Sequence, residues 1–229
     1  MIHLLDNVPD FCNWTEARRY LLEGQERLRR EFQPEEIASL GWSDITAKHE
    51  APFGYYSCAI WRKFVLATFL ADLVSYEMPV DQVNFARMLF VMHAFPTGFR
   101  TWWVKLPTGK WWPVGYSGWY PMLENHFELF EKYPQKLLDR MVVPKSFDPP
   151  KRPYLYLFNY SVQPSLKKSC LSRALMKQYV EEVHLVRPQG LACITVSEEG
   201  ASVAKRFGMS CSGYLELEGV KEGVYTGRI

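Results

Sequence analysis

The sequence predicts an α/β fold: a mixed central sheet flanked by helices, with extra helices at its N-terminal end. Three observations predict it. Aromatic and β-branched runs of strand length recur from Thr101 to the C-terminus. Helical periodicities alternate with those runs, which is the pattern of helices packed on a sheet. Ahead of Gly98 the regular patterns are helical.

In chain order, Asn13-Trp14-Thr15-Glu16 reads as a capping box that opens a helix through about Phe32. Its apolar stripe is Trp14, Ala17, Leu21, Leu28 and Phe32, and the rest is charged. Pro34 and Gly41 interrupt the chain. A second helix is expected from about Ser57 to Tyr76, apolar on nearly all sides and therefore buried, and a third from Asp81 to about Ala94. Pro96-Thr97-Gly98 closes this part. Thr101–Leu106 and Trp111–Tyr120, joined by the turn Pro107-Thr108-Gly109, read as a hairpin. Glu124–Asp139 reads as helical, and a proline-rich loop follows. Tyr154–Val162 is a strongly β-prone run, and Ser169–Leu185 is a helix by its Leu171, Leu175, Met176, Tyr179, Val180 and Val183 spacing. Leu191–Val196 is a short strand and Glu198–Arg206 a short helix; Tyr214–Glu218 and Val224–Arg228 are two further strands. The order of the second half is β-β-(α)-β-α-β-α-β-β. Residues 1–98 are expected to be a helical layer of the same domain as the core, 99–229.

Composition narrows the function class. Of 229 residues, 48% are apolar and 15% aromatic, enough for a sizeable core and too many for a disordered chain. The longest charge-free apolar stretch in that buried second helix, Phe64–Ala71, is far short of the ~20 residues a membrane span requires. The N-terminus has no basic segment of the secretory kind. Five scattered cysteines form no CxxC pair, so neither a disulfide framework nor a metal site is indicated and a reducing cytoplasm is expected. Net charge is only +2, but six basic and ten acidic residues lie in 1–50 against eleven basic and seven acidic in 151–229. Between Asp148 and Glu181 there is no acid, while Lys151, Arg152, Lys167, Lys168, Arg173 and Lys177 fall there, which suits an anionic ligand.

Local wording then points to a family. The run Val162-Gln163-Pro164-Ser165-Leu166-Lys167-Lys168-Ser169-Cys170-Leu171-Ser172-Arg173-Ala174-Leu175 resembles the V-x-P strand end, R/Q-x-x-G-x-G/A loop and leucine-bearing helix of the GNAT N-acetyltransferase superfamily. Ala192–Val196, then Ala201–Arg206 and Phe207-Gly208-Met209, resemble its next strand, short helix and G-F-like end. Pro113-Val114-Gly115-Tyr116 resembles its upstream V-G strand. The resemblance spans about 130 residues, and it rests on order and spacing together. The loop departs from the pattern: Cys170 and Ser172 occupy the glycine positions and Lys167 the arginine or glutamine position.

The resemblance implies an acyltransferase using acyl-CoA (acetyl-CoA or longer) as co-substrate, with no metal. It implies that Val162, Lys167, Lys168, Ser169, Cys170, Leu171, Ser172 and Arg173 surround the pyrophosphate, met by backbone N–H groups and a helix N-terminus. A positive φ at Cys170 would bring strain there. The proton donor of relatives, a tyrosine four residues before the glycine of the G-F step, is replaced by Ala204. The remaining catalytic candidates are Tyr160 and Asn159 on the β-prone run and His126 after the hairpin. The acceptor would be a small-molecule or peptide amine, and a homodimer is compatible with the sequence. Two alternatives stay open: a GNAT-shaped binding protein without catalysis, and a transferase using another activated donor such as aminoacyl-tRNA, although nucleic acid is not the expected partner.

Overall fold

The computed structural model describes residues 2–8, 16, 19–20, 36–48, 58–75, 85–146, 151–217 and 219–229. The helix expected from Asn13 to Phe32 therefore lies outside the described residues, save for Glu16, Arg19 and Tyr20. A short 3-10 turn, Ile2–Asn7, comes first. Strand β1 (Ile37–Gly41), helix α1 (Trp42–Lys48), α2 (Cys58–Ser75) and α3 (Phe85–Ala94) follow. Strands β2 (Phe99–Lys105) and β3 (Trp111–Met122) lead to α4 (Glu124–Lys132). Then come β4 (Tyr154–Val162), α5 (Cys170–Leu185), β5 (Gly190–Thr195) and α6 (Glu198–Arg206). Strands β6 (Ser210–Leu217) and β7 (Val220–Arg228) end the chain.

The seven strands run in the order β1-β2-β3-β4-β5-β7-β6. The sheet is mixed: β4 and β5 are parallel, with α5 as the crossover a parallel pair requires, while β1–β2, β5–β7 and β6–β7 are antiparallel. The expected fold class is the observed one, and the hairpin strands β2 and β3 are neighbours. Strand β1 was not legible in the sequence; Ile37 pairs with Val104 and Gly41 with Arg100, so the N-terminal segment supplies an edge strand as well as helices. The helix expected over Glu124–Asp139 stops at Lys132. Pro134 cannot continue it, and Pro134–Lys136 and Asp139–Met141 are single 3-10 turns.

Two compact units divide the chain: residues 1–92, 96–117 and 161–175 in one, 93–95, 118–160 and 176–229 in the other. In the first, α2 buries its own Phe64, Val65, Ala67, Phe69 and Leu70. Its polar side chains are satisfied locally or on the sheet. Thr68 Oγ1 donates to the Phe64 carbonyl and lies 2.8 Å from Thr101 Oγ1. Tyr116 Oη donates to the carboxylate of fully buried Asp72 at 2.8 Å. In the second unit, Leu155, Leu157, Met176, Tyr179, Val183, Leu191, Cys193, Ala204, Phe207, Met209 and Tyr225 make one apolar cluster with Trp119. Helix α6 is well specified. Ser197 caps it by accepting from Gly200 N–H, Glu198 and Glu199 sit in the first turn, and Lys205 and Arg206 in the last.

Candidate functional site

Strand β4 carries the centre of the site, because its regular pattern fails twice. The first failure is in pairing. Tyr154, Leu155 and Tyr156 pair with Gly190, Leu191 and Ala192 of β5. The ladder ends there, yet β4 continues to Val162, and β5 continues to Thr195 against β7. The two parallel strands part after Tyr156 and Ala192. The second failure is in alternation. Tyr154 stacks on Phe127 and Tyr156 on Phe130 of α4, while Phe158 packs with Tyr120; these define one face. Leu155 and Leu157 define the other, in the cluster with α5 and α6. By period two Tyr160 belongs with Tyr156 and Phe158. It packs instead on the Leu157 side, stacked on Tyr179 of α5 with centroids 6.0 Å apart and planes 12° apart. One extra residue at Phe158–Asn159 accounts for the slip. This is the geometry of a β-bulge, a device that re-aims a side chain.

Asn159 and Tyr160 are thus brought together at the bulge, both half-buried. Burial pushes the Tyr160 phenol up to about 12, against the pull of the Arg206 charge. His126 is placed elsewhere. It lies on α4 beside Phe127, which stacks on Tyr154 six residues before Tyr160, and that many residues of strand span ~20 Å. Burial lowers its pKa, and its Nδ1 is buried without a hydrogen-bond partner.

The lower end of β4 feeds the loop. Gln163 N–H donates to the Val114 carbonyl at 2.8 Å, and a Cβ on Gly115 would stand 2.6 Å from the Ser161 carbonyl, so β3 and β4 approach very closely here. Pro164–Leu166 makes one 3-10 turn that buries Leu166, and Val162 is buried before it. Lys168 then adopts φ +63°. Ser169 closes the loop as the cap of α5: its Oγ donates to the Leu166 carbonyl and accepts from Ser172 N–H at 3.2 Å. The N–H groups of Cys170 and Leu171, in the first helical turn, have no acceptor within the helix. With exposed Lys167 and Lys168 beside them, and exposed Arg173 one turn on, the loop presents positive charge and helix-end amides together.

The strain foreseen at Cys170 falls instead on Lys168. Cys170 is the first helical residue, exposed, and has no positive φ. Ser172 donates its hydroxyl to the Ser169 carbonyl, within the helix. Leu171 turns inward and is buried. Among the described residues, no group of three or more His, Cys, Asp or Glu side chains could hold a metal ion, and no helix is long and apolar enough to cross a membrane.

No protein-family model matches the chain, and no curated protein matches it in sequence. Solved structures do match in fold. A chain of the NatC complex bound to Gag peptide and CoA is similar at 9% identity and TM-score 0.51, covering 85% of this chain and 99% of that one. The GphF GNAT-like decarboxylase in complex with isobutyryl-CoA is similar at 12% identity and TM-score 0.51, with the same 85% and 99% coverage. The loading GNATL domain of CurA from Lyngbya majuscula is similar at 9% identity and TM-score 0.51, over 72% of this chain and 93% of that one. The class these observations define is a mixed-sheet α/β protein with a parallel pair of central strands joined through a helix. This chain has the GNAT fold.

Proposed function

We propose that this protein transfers an acyl group from acyl-CoA to an amine acceptor. The observation that carries the reading is the parting of β4 and β5 beside a bulge, on the strand that runs straight into a basic, helix-capped loop. The loop has the chemistry of a pyrophosphate site. Lys167 and Lys168 supply charge, and the backbone of Cys170 and Leu171 supplies N–H donors, with Ser169 as the cap that holds them in place; Val162 is the apolar floor, and Ser172 and Arg173 continue the first turn. The bulge, two residues up the same strand, is where the thioester would lie, with Asn159 and Tyr160 as the polar side chains at hand. His126 serves only an acceptor long enough to reach α4. Rate would come mainly from holding amine and carbonyl together and polarising the carbonyl.

The co-substrate reading is supported by NatC and GphF, which hold CoA or an acyl-CoA, and a peptide amine as acceptor by the Gag peptide on NatC. Residues 1–98 are read as one domain with the core, supported by the β1–β2 pairing. A cytoplasmic setting is supported by the free thiols of Cys170, Cys193 and Cys211. Calorimetric titration with acetyl-CoA and longer acyl-CoAs tests the function. Saturable binding followed by amide product in mass spectra is expected with a pool of N-terminal peptides. No binding at near-millimolar ligand would sink the proposal, and loss of CO2 from a carboxylated acyl-CoA without amide formation would replace transfer by decarboxylation.

A further inference from the structure

Between α4 and β4, residues 132–146 carry four cations, Lys132, Lys136, Arg140 and Lys145, and one acid, Asp139. The helix cannot continue through Pro134, so the segment lies down as two 3-10 turns, and the sheet sorts its side chains. Pro134, Leu137 and Val142 turn inward and are buried. A Cβ on Gly213 would stand 2.5 Å from Pro134 Cγ, so the first turn sits tightly on β6. Tyr156 Oη donates to Asp139 at 2.6 Å, Tyr120 Oη to the Val142 carbonyl at 2.9 Å, and Lys145 N–H to the Pro121 carbonyl at 2.8 Å. The strap is latched in this way to β3, β4 and β6, and its one carboxylate is drawn in to the sheet.

The remaining side chains turn to water. Lys136, Arg140 and Lys145 are exposed, and none of them has an ion-pair partner among the described residues. Lys132 faces Glu128 at 3.5 Å, an open surface pair. Interspersed with the cations are three apolar side chains, Tyr133, Met141 and Val143, at 49%, 50% and 37% exposure. A fixed surface of cations and apolar groups, with its acid withdrawn, complements a partner that is anionic outside and apolar just beneath.

We infer that this strap is a docking surface for an anionic lipid bilayer. The cations complement the charged headgroups, while Met141 and Val143 enter the apolar layer below them. Tyr133, with an apolar ring and a polar tip, suits the boundary between the two. Other partners fit less well. The amides of Lys136, Leu137, Met141 and Val142 donate within the strap's own turns, which leaves no strand edge here for an extended peptide. Tyr133, the ring on which a nucleic-acid base would stack, already carries Lys136 Nζ at 4.6 Å from its centroid, and Met141 and Val143 offer a base no hydrogen bond. Docking here uses none of the residues of the acyl-CoA loop and stands or falls apart from that site.

The test is flotation of the full chain with extruded vesicles of phosphatidylcholine, alone or with one-third phosphatidylserine. Binding to the anionic vesicles, weakened by salt and absent on phosphatidylcholine, is expected. Lys136→Gln/Arg140→Gln/Lys145→Gln should weaken it about 100-fold, roughly fivefold for each cation. Met141→Ser/Val143→Ser should weaken it about tenfold and keep the salt dependence. Lys177→Gln/Lys205→Gln/Lys221→Gln removes the same charge elsewhere and should stay within about threefold of wild type. All these positions are exposed, and urea unfolding of each variant checks that the fold is kept. No binding to the anionic vesicles, or a strap triple variant that binds them as wild type does, overturns the inference. So does saturable binding of mixed tRNA or polyglutamate that the strap triple variant loses while the vesicles stay unbound, which would give this surface to a nucleic acid or an acidic protein.

Discussion

At the scale of single residues, two non-glycine residues among those described hold backbone conformations that L-residues avoid: Lys168 at φ +63° and Arg187 at φ +51°. Each costs roughly 1–2 kcal/mol relative to a right-handed conformation. Arg187 follows α5 at the place where glycine usually ends a helix, and its carbonyl is held by Arg152 Nε at 2.8 Å. Its side chain is exposed and far along the chain from the loop. Lys168 has the same strain but sits in the candidate phosphate site. The pair therefore separates strain from function. Arg187→Gly should raise the stability read from urea unfolding by about 0.5–1 kcal/mol, the strain relieved less the entropy glycine adds to the unfolded chain, and leave acetyl-CoA affinity unchanged. Lys168→Gly should stabilise by a similar amount yet weaken acetyl-CoA binding several-fold, because a cation beside the phosphates is gone. If Lys168→Gly tightened binding instead, the backbone and not the charge would be what this loop offers the ligand.

At the scale of elements, what the sequence made legible depends on how local each determinant is. Helix α6 was readable to the residue, since its Ser197 cap, acidic first turn and basic last turn are all local. Strand β4 was readable as a strand but its bulge was not. Tyr154 to Phe158 is large and apolar on both faces, so there is no polar alternation whose slip could be seen. Strand β1 was missed because five residues, Ile37–Gly41, with a small or polar residue at three places give too short a pattern; the partner β2 decides it. The loop residues could be named from the sequence because their motif is contiguous, whereas the stack of Tyr160 on Tyr179 joins residues nineteen apart in the sequence. The V-G step looked like a family mark and has a physical reason. A Cβ at Gly115 would meet the Ser161 carbonyl at 2.6 Å and the Val162 Cα at 3.3 Å, and both obstacles are backbone. Gly115→Ala must push β3 and β4 apart where β4 enters the loop. We expect a loss of about 1–3 kcal/mol in urea unfolding, typical of overpacking, and a weaker acetyl-CoA titration in the same protein. A variant as stable as wild type would show that the strands yield here and that the close approach does not set the loop.

At the scale of the whole molecule, a net charge of +2 conceals a strong polarity along the chain. The acid-free run between Asp148 and Glu181 carries six basic residues, and Lys151, Arg152, Lys167, Lys168, Arg173 and Lys177 are all exposed. Arg152 is tied down through the carbonyls of Arg187 and Pro188, and Lys177 faces Glu181 at 3.9 Å. Lys167, Lys168 and Arg173 lie on the loop and first turn of α5, where the helix end adds to their field. A field built from exposed charges is screened by salt, with a Debye length of about 10 Å at 0.1 M and about 3 Å at 1 M. An acyl-CoA carries several negative charges, so its binding should follow that screening. Raising NaCl from 50 to 500 mM should weaken acetyl-CoA binding roughly 5- to 10-fold. The double variant Lys167→Ala/Lys168→Ala should bind weakly at 50 mM and lose much less on going to 500 mM, because the screened contribution has already been removed. The uncharged thioester S-acetylpantetheine should show no such slope. If wild-type affinity for acetyl-CoA were flat across that range, the phosphates would not be meeting this basic loop, and the anion site would have to be sought away from the start of α5.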